Sequence, residues 1–255
     1  LRRKSRHYEI ELASGATLAA DLVVGADGAR SLVRSAIGVE TSEWPNEQTA
    51  FVTHLRPERP HRATAWQRFL RTGPLGILPL ADGRVSVVWS TRPEQAQAAL
   101  EADDAALGRM LGEASDYVLG ELSVAGPRGA FPLCARHAQQ YVLPNVALIG
   151  DAAHAIHPLA GQGANLGLQD AAELARQVHR ALREGLHPGD RPALRRYERA
   201  RKGANATMLH FMTGLNRLFA TDSMLVEGIR AAGMRTFNRG GPIREQAVKV
   251  ALGVE

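Results

Sequence analysis

Between Asn145 and Asp170 the chain reads NVALIGDAAHAIHPLAGQGANLGLQD, an order of residue types that few folds accommodate. Val146 to Ile149 is an apolar run with the length of a buried strand. Gly150-Asp151 follows, then a turn rich in His, Pro and Gly, then a segment whose helical periodicity begins near Asn165. Strand, glycine-rich loop and helix N-terminus in that order make a site for a polar or anionic ligand. The glycines let backbone approach the ligand, and the first-turn N–H groups point at it. Asp151, at the strand end, is expected to accept hydrogen bonds from ligand hydroxyls, as carboxylates do with ribose in nucleotide folds. Each piece alone has a plainer reading. Gly-Asp after a strand is commonly a turn, and Gly161-Gln162-Gly163 is not a dinucleotide fingerprint, because position 166 is Leu. Their density within residues 150 to 170 favours a ligand site.

The rest of the chain supplies a frame. Tyr8–Leu12 and Thr17–Leu18 flank Ser14-Gly15-Ala16 in a hairpin pattern, and Asp21–Gly25 reads as a buried strand ending in Ala26-Asp27-Gly28. Ser31 is placed to cap a helix that runs to Ile37 and stops at Gly38. Strand-like runs at 49–55, 63–70, 75–80 and 84–91, with Asp82-Gly83 between the last two, predict an antiparallel sheet. Trp66, Phe69 and Trp89 are expected in its core, and Gly73-Pro74-Leu75-Gly76 is expected to be a turn. Short surface helices are expected at 93–100 and 104–112. A long helix over 166–182 is closed by Gly185, and a second runs over 192–220. On the second, Glu198 and Lys202 read as an i,i+4 pair on a solvated face. Met208, Phe211, Met212, Leu215, Leu218 and Phe219 form an apolar stripe for core packing, with a lipid- or partner-facing surface as the alternative. Two more helical pieces are expected at 223–237 and 243–252. His154 and His157 have no Cys or acid completing a set, so no metal site is expected.

Composition narrows the class. With 45% hydrophobic residues the chain has the makings of a packed core, and no apolar run approaches the roughly 18 residues that would cross a bilayer. The opening LRRKSRHYEIEL lacks the apolar centre of a signal peptide. Cys134 is alone, which excludes an intramolecular disulfide framework, fits a reducing cytoplasm and reads as a small buried residue. The net charge of +5 is scattered, with no aromatic-plus-basic pattern, so no nucleic-acid partner is expected.

GDAAHAIHPLAGQGANLGLQD resembles the second flavin-binding motif of the flavin-dependent aromatic hydroxylases. More narrowly, HPLAGQGANLGLQD is similar to the signature of the ubiquinone-biosynthesis monooxygenases. The likeness runs from about Leu22 to about Tyr197, and more loosely beyond. It implies an α/β (α+β) chain: a partial FAD-binding Rossmann-like domain over 1–45, an inserted antiparallel-sheet substrate domain over 46–130, a return to the FAD-binding domain over 131–186, and C-terminal helices over 187–255. The family opens with a strand and GxGxxG; no GxGxxG occurs here, so that portion is expected to be missing. The implied cofactor is FAD, with NAD(P)H as reductant.

By the same resemblance, Asp27, Gly28 and Arg34 lie near the FAD ribose and pyrophosphate; the alternative for Arg34 is the helix surface. Gly150 and Asp151 hold the ribityl chain. Gly161, Gly163, Asn165 and Leu166 present backbone to the flavin, and Pro158 packs near its reactive carbon. Pro158 and His157 are the candidate catalytic residues, with His154 and Tyr141 as other candidates for a base. The implied reaction is hydroxylation, by O2 through a flavin 4a-hydroperoxide, of a polyprenylated phenol or benzoquinol in ubiquinone biosynthesis. That substrate implies contact with a membrane surface, peripheral to the inner membrane, and with other subunits of a ubiquinone-biosynthesis complex. A flavin-free scaffold and a hydroxylase of a small soluble aromatic are the alternatives.

Overall fold

The computed structural model describes residues 1–156 and 162–220, with isolated positions between 228 and 245. His157, Pro158 and Gly161 lie outside the described residues, as do most of the helical pieces expected at 223–237 and 243–252. The elements in order are β1 (Arg2–Arg3), β2 (Tyr8–Glu11), β3 (Thr17–Ala20), β4 (Val23–Gly25), α1 (Leu32–Ala36), β5 (Thr41–Pro57), β6 (Trp66–Leu70), β7 (Gly73–Pro79) and β8 (Val85–Thr91). Then come α2 (Pro93–Glu101), α3 (Asp104–Ala114), β9 (Leu122–Val124), β10 (Gly129–Ala138), β11 (Val142–Leu143), β12 (Val146–Leu148), a 3-10 turn (Gly150–Ala152), β13 (His154–Ala155), α4 (Gln162–Arg183) and α5 (Arg191–Ala220). The mixture is α/β. The described residues divide into two compact units, one built from Leu1–Trp44 with Cys134–Met212, the other from Pro45–Leu133 with the described residues from Thr213 to Glu245.

In the first unit β12 is central. It pairs antiparallel with β11 and parallel with β4, in the register Val146↔Val23, Ala147↔Val24, Leu148↔Gly25. All three β12 residues are fully buried, as an unbroken apolar run demands when both faces of a strand are covered. Leu148 and Ala147 pack with Tyr141, Leu174, Leu194 and Tyr197, and the Tyr197 hydroxyl donates to the Leu148 carbonyl at 2.7 Å. Ser31 caps α1 as expected, its Oγ accepting from the Arg34 N–H at 2.9 Å. The α4 helix starts at Gln162, three residues before its apolar periodicity, because its first turn is built from Gly163 and exposed residues that carry no apolar signal. Glu198 and Lys202 are not a mutual pair. Glu198 accepts the Tyr141 N–H at 2.8 Å and Lys202 donates to the Gln139 carbonyl, so both tie α5 to the turn before β11. Cys134 is half-buried.

The second unit holds the antiparallel order β5–β8–β7–β6, with Phe51↔Trp89 and Leu75↔Trp89 in register, and β9 paired to β5. Phe51, Leu55, Leu75, Ile77, Val87 and Trp89 form its core with residues of α2 and α3. Helix α3 is capped by Asp103, whose carboxylate accepts the Ala106 N–H at 2.7 Å. Gly73-Pro74-Leu75-Gly76 lies within β7 and is not a turn. Gly73 has φ +137°, and a Cβ there would sit 2.2 Å from the Ser90 carbonyl oxygen. The apolar stripe of α5 does not turn inward as one face: Met212 is buried, whereas Phe211 and Leu218 are exposed. No helix among the described residues is long and apolar enough to cross a membrane.

Candidate functional site

Because β4 and β12 are parallel neighbours, the loops that follow them, 26–30 and 150–153, leave the same edge of the sheet. In open α/β sheets ligands bind outside the carboxyl ends of the strands. The Ile149 N–H extends the pairing by donating to the Gly25 carbonyl at 3.0 Å. Gly25 has no room for a side chain: a Cβ would lie 2.7 Å from Leu148 Cδ2 and 3.0 Å from Val33 Cγ1. Arg34 links the two loops, donating from Nη1 to the Ala152 carbonyl and from Nη2 to the Ala29 carbonyl, both at 2.8 Å. It is buried, which corrects the reading that put it on the helix surface. Arg136 donates to the Ala29 carbonyl as well and pairs with Glu43 at 2.6 Å. Asp27 serves the start of α1, taking the Ser31 hydroxyl at 2.5 Å and the Val33 N–H at 3.0 Å. Burial pushes its carboxyl up, but these hydrogen bonds prevail and hold it below the usual range.

Across from this loop, Gly150 takes φ +56° and lies against the first turns of α4. A Cβ on Gly167 would come within 3.3 Å of Gly150 Cα, so the glycine inside the helix is what lets the two backbones meet. A Cβ on Gly163 would lie 3.9 Å from Asp151 Oδ1, which places that carboxylate beside the first turn of the helix. Asp151 is exposed and has no partner among the described residues. Asn165 is exposed in the same turn, and Leu166 is buried beneath it. An open acceptor thus stands next to the backbone donors of a helix start, where the macrodipole favours negative charge.

Under the loop lies a polar network whose partners no local pattern predicts. Asp170, fully buried in α4, accepts from four donors: Arg201 Nε at 2.7 Å, Asn205 Nδ2 at 3.0 Å, His154 Nε2 at 2.5 Å and the Gly150 N–H at 3.1 Å. Those donors fill the roughly four acceptor positions of a carboxylate. Burial pushes the Asp170 carboxyl up, but the His154 hydrogen bond and charge, with Arg201 and Asn205, hold it below the usual range. His154 is therefore engaged in holding the loop, and its Nδ1 is buried without a partner among the described residues. Tyr141 is buried too. Its oxygen takes Asn205 Nδ2 at 3.4 Å, which leaves its hydroxyl proton for His137 Nε2 at 2.9 Å. Burial first, then the nearby Asp170 charge, pushes the Tyr141 hydroxyl well up, so it stays a neutral donor.

The model of the family described as "FAD binding domain" matches residues 5–212. The chain belongs to that family. Ubiquinone hydroxylase UbiL of Rhodospirillum rubrum is 39% identical over 257 residues, covering 99% of this chain and 59% of the relative. The 3-demethoxyubiquinol 3-hydroxylase of Escherichia coli is 35% identical, covering 100% of this chain and 65% of its own length. Among solved structures, Pseudomonas aeruginosa PqsL in complex with 2-aminobenzoylacetate superposes with a TM-score of 0.72 at 25% identity, covering 86% of this chain and 62% of PqsL. The chain spans about three-fifths of the length of the curated relatives it matches. The resemblance read from HPLAGQGANLGLQD is thus borne out at the level of the family, and FAD is the cofactor that family membership implies.

The residues present fit this FAD-binding family. The Gly150–Gly167 approach brings the loop backbone against the start of α4, where no side chain intervenes, and the exposed Asp151 carboxylate is an acceptor of the kind that sugar-like hydroxyls need. The start of α4 offers N–H donors to an anionic ring edge. Asp27 and Arg34, expected near the cofactor ribose and pyrophosphate, make hydrogen bonds that hold loop 26–30 in place from within.

Proposed function

We propose that this chain is the greater part of an FAD-dependent monooxygenase that hydroxylates a polyprenylated phenol or benzoquinol ring in ubiquinone biosynthesis, with NAD(P)H as reductant and O2 as oxidant. The observation that carries the reading is the open Asp151 carboxylate beside the first turn of α4, at the carboxyl end of two parallel strands. The two ubiquinone-pathway relatives support the substrate class. FAD, when bound, supplies the redox and oxygen chemistry; the protein supplies position and electrostatics. In this reading Asp151 holds cofactor hydroxyls, and Gly163, Asn165 and Leu166 present backbone N–H groups to the anionic edge of the ring. Asp170 acts at one remove, fixing Gly150 through its N–H. Peripheral contact with a membrane follows from the solubility of a polyprenyl substrate.

Titrating the chain with FAD and following the visible band of bound flavin tests the reading. Saturable binding by the wild type, lost in Asp151→Ala, is the expected result. An Asp151→Ala protein that binds flavin as well as the wild type removes that residue from the site. A wild type that binds none, even when the missing length of its relatives is restored, removes the flavin reading altogether and leaves a scaffold role.

A further inference from the structure

The amino-terminal half of α5 and the segment around His137 enclose a second feature, a cleft of about 580 Å3. Arg191, Arg195 and Arg199 line it at i, i+4 and i+8, the spacing that puts side chains on one face of a helix. Lys202 continues the row one turn on, with its ammonium on the Gln139 carbonyl. The acid in the lining is Glu198, and its Oε1 is committed to the Tyr141 N–H. The three arginines are exposed and have no carboxylate partner among the described residues. The arginines of the same half-helix that point elsewhere are paired: Arg196 with Glu184 at 3.4 Å and Arg201 with Asp170 at 2.7 Å. Unpaired cations therefore gather where the cleft is.

Such a row has a standing cost. Like charges four residues apart on a helix repel. Arg191 and Arg195 also sit at the positive end of the α5 macrodipole, where acids are favoured; the first turn of α5 contains no acid, and Asp190, just before it, has a carboxylate oxygen on the His187 N–H at 3.2 Å. An anion in the cleft offsets both terms at once. Guanidinium forks match the oxygens of a phosphate group, taking them two at a time. We infer that the α5 cleft is a binding site for a phosphate-bearing anion, held by Arg191, Arg195 and Arg199. The site is distinct from the Asp151 loop and stands whether or not flavin binds there. The phosphate could come from a free phosphate ester or from the headgroups of an anionic membrane.

Two probes separate those sources: inorganic pyrophosphate followed by calorimetry, and co-sedimentation with vesicles of phosphatidylcholine containing phosphatidylglycerol. The full chain is compared with Arg195→Gln and with Arg196→Gln, which removes the same charge from the same helix off the cleft. Both positions are surface-accessible, so folding is expected to be retained, and circular dichroism checks it. Binding of at least one probe, weakened roughly tenfold by Arg195→Gln and less than about twofold by Arg196→Gln, supports the inference. Pyrophosphate binding without sedimentation identifies a free phosphate ester, and sedimentation competed by pyrophosphate identifies headgroups. Binding of neither probe overturns the inference. Equal weakening by the two variants also overturns it, since net charge alone would then be at work.

Discussion

At the residue scale two aspartates nineteen positions apart divide the labour of the site, and burial separates them. Asp151 is exposed and unpartnered among the described residues, whereas Asp170 is fully buried under four donors. Asp151→Ala should therefore leave urea stability within about 0.5 kcal/mol of the wild type while flavin binding is lost. Asp170→Asn keeps the shape but leaves the Arg201 guanidinium, with a side chain only 13% exposed, without its counter-charge. We expect it to cost about 2–4 kcal/mol in urea unfolding, in line with breaking a buried ion pair from one side. The difference between these aspartates was only half legible in the sequence. Asp151 follows a strand and precedes glycines, a local pattern that names it. The partners of Asp170 stand 16, 31 and 35 residues away at His154, Arg201 and Asn205, so its role belongs to tertiary structure. The same limit hid Arg34, whose two carbonyl partners lie five and 118 residues away.

At the element scale the site depends on β4 and β12 lying side by side and parallel, because that sends loops 26–30 and 150–153 out of one edge. The longer helices and most of the longer strands were legible from apolar runs and caps, since those are local properties, whereas the short strands β1, β9, β11 and β13 carry too few residues for a pattern. Their adjacency was not, because the parallel partners are more than a hundred residues apart and no turn joins them. Gly25 is where this pairing is tightest, with Leu148 and Val33 both closing on its missing side chain. Leu148 is fully buried and Val33 is β-branched, so neither can swing away freely. Gly25→Ala should therefore destabilise the chain by about 1–3 kcal/mol, the usual range for overpacking, despite the entropy that alanine saves in the unfolded chain. Thermal unfolding of the variant checks this, and a Tm equal to the wild type would show that the strand edge can widen. The exposed first turn of α4 also explains why periodicity placed the helix start late: residues that face away from the core carry no apolar stripe.

At the scale of the whole molecule, the positive balance of the chain meets its buried network at His137. This half-buried imidazole lines the basic cleft and contacts the Tyr141 hydroxyl, with His154, Lys202 and His210 as neighbouring positive or ionisable groups. Burial, then the charges of those three, lowers its pKa from 6.5 to about 4. A base depressed by folding binds its proton more readily in the unfolded chain. Its contribution to stability is therefore fully present above pH 6.5 and is lost as pH falls from 6.5 towards 4. One such group imposes a slope of at most about 1.4 kcal/mol per pH unit, and a total of about 1–3 kcal/mol after discounting for its partial exposure. The buried Asp170 acts in a lower window, because its carboxyl is held below the usual range and its contribution fades only as pH falls through that lowered value. Acid destabilisation should thus come in two stages, an imidazole stage beginning near neutrality and a carboxylate stage below it. Urea unfolding at half-unit steps from pH 7.5 to 3.5 should show the first stage in the wild type. In His137→Gln that stage should flatten while the second stage persists. An unchanged slope between pH 6.5 and 4 in His137→Gln would mean that the first stage arises from other groups, and would move the link between the cleft and the network away from His137.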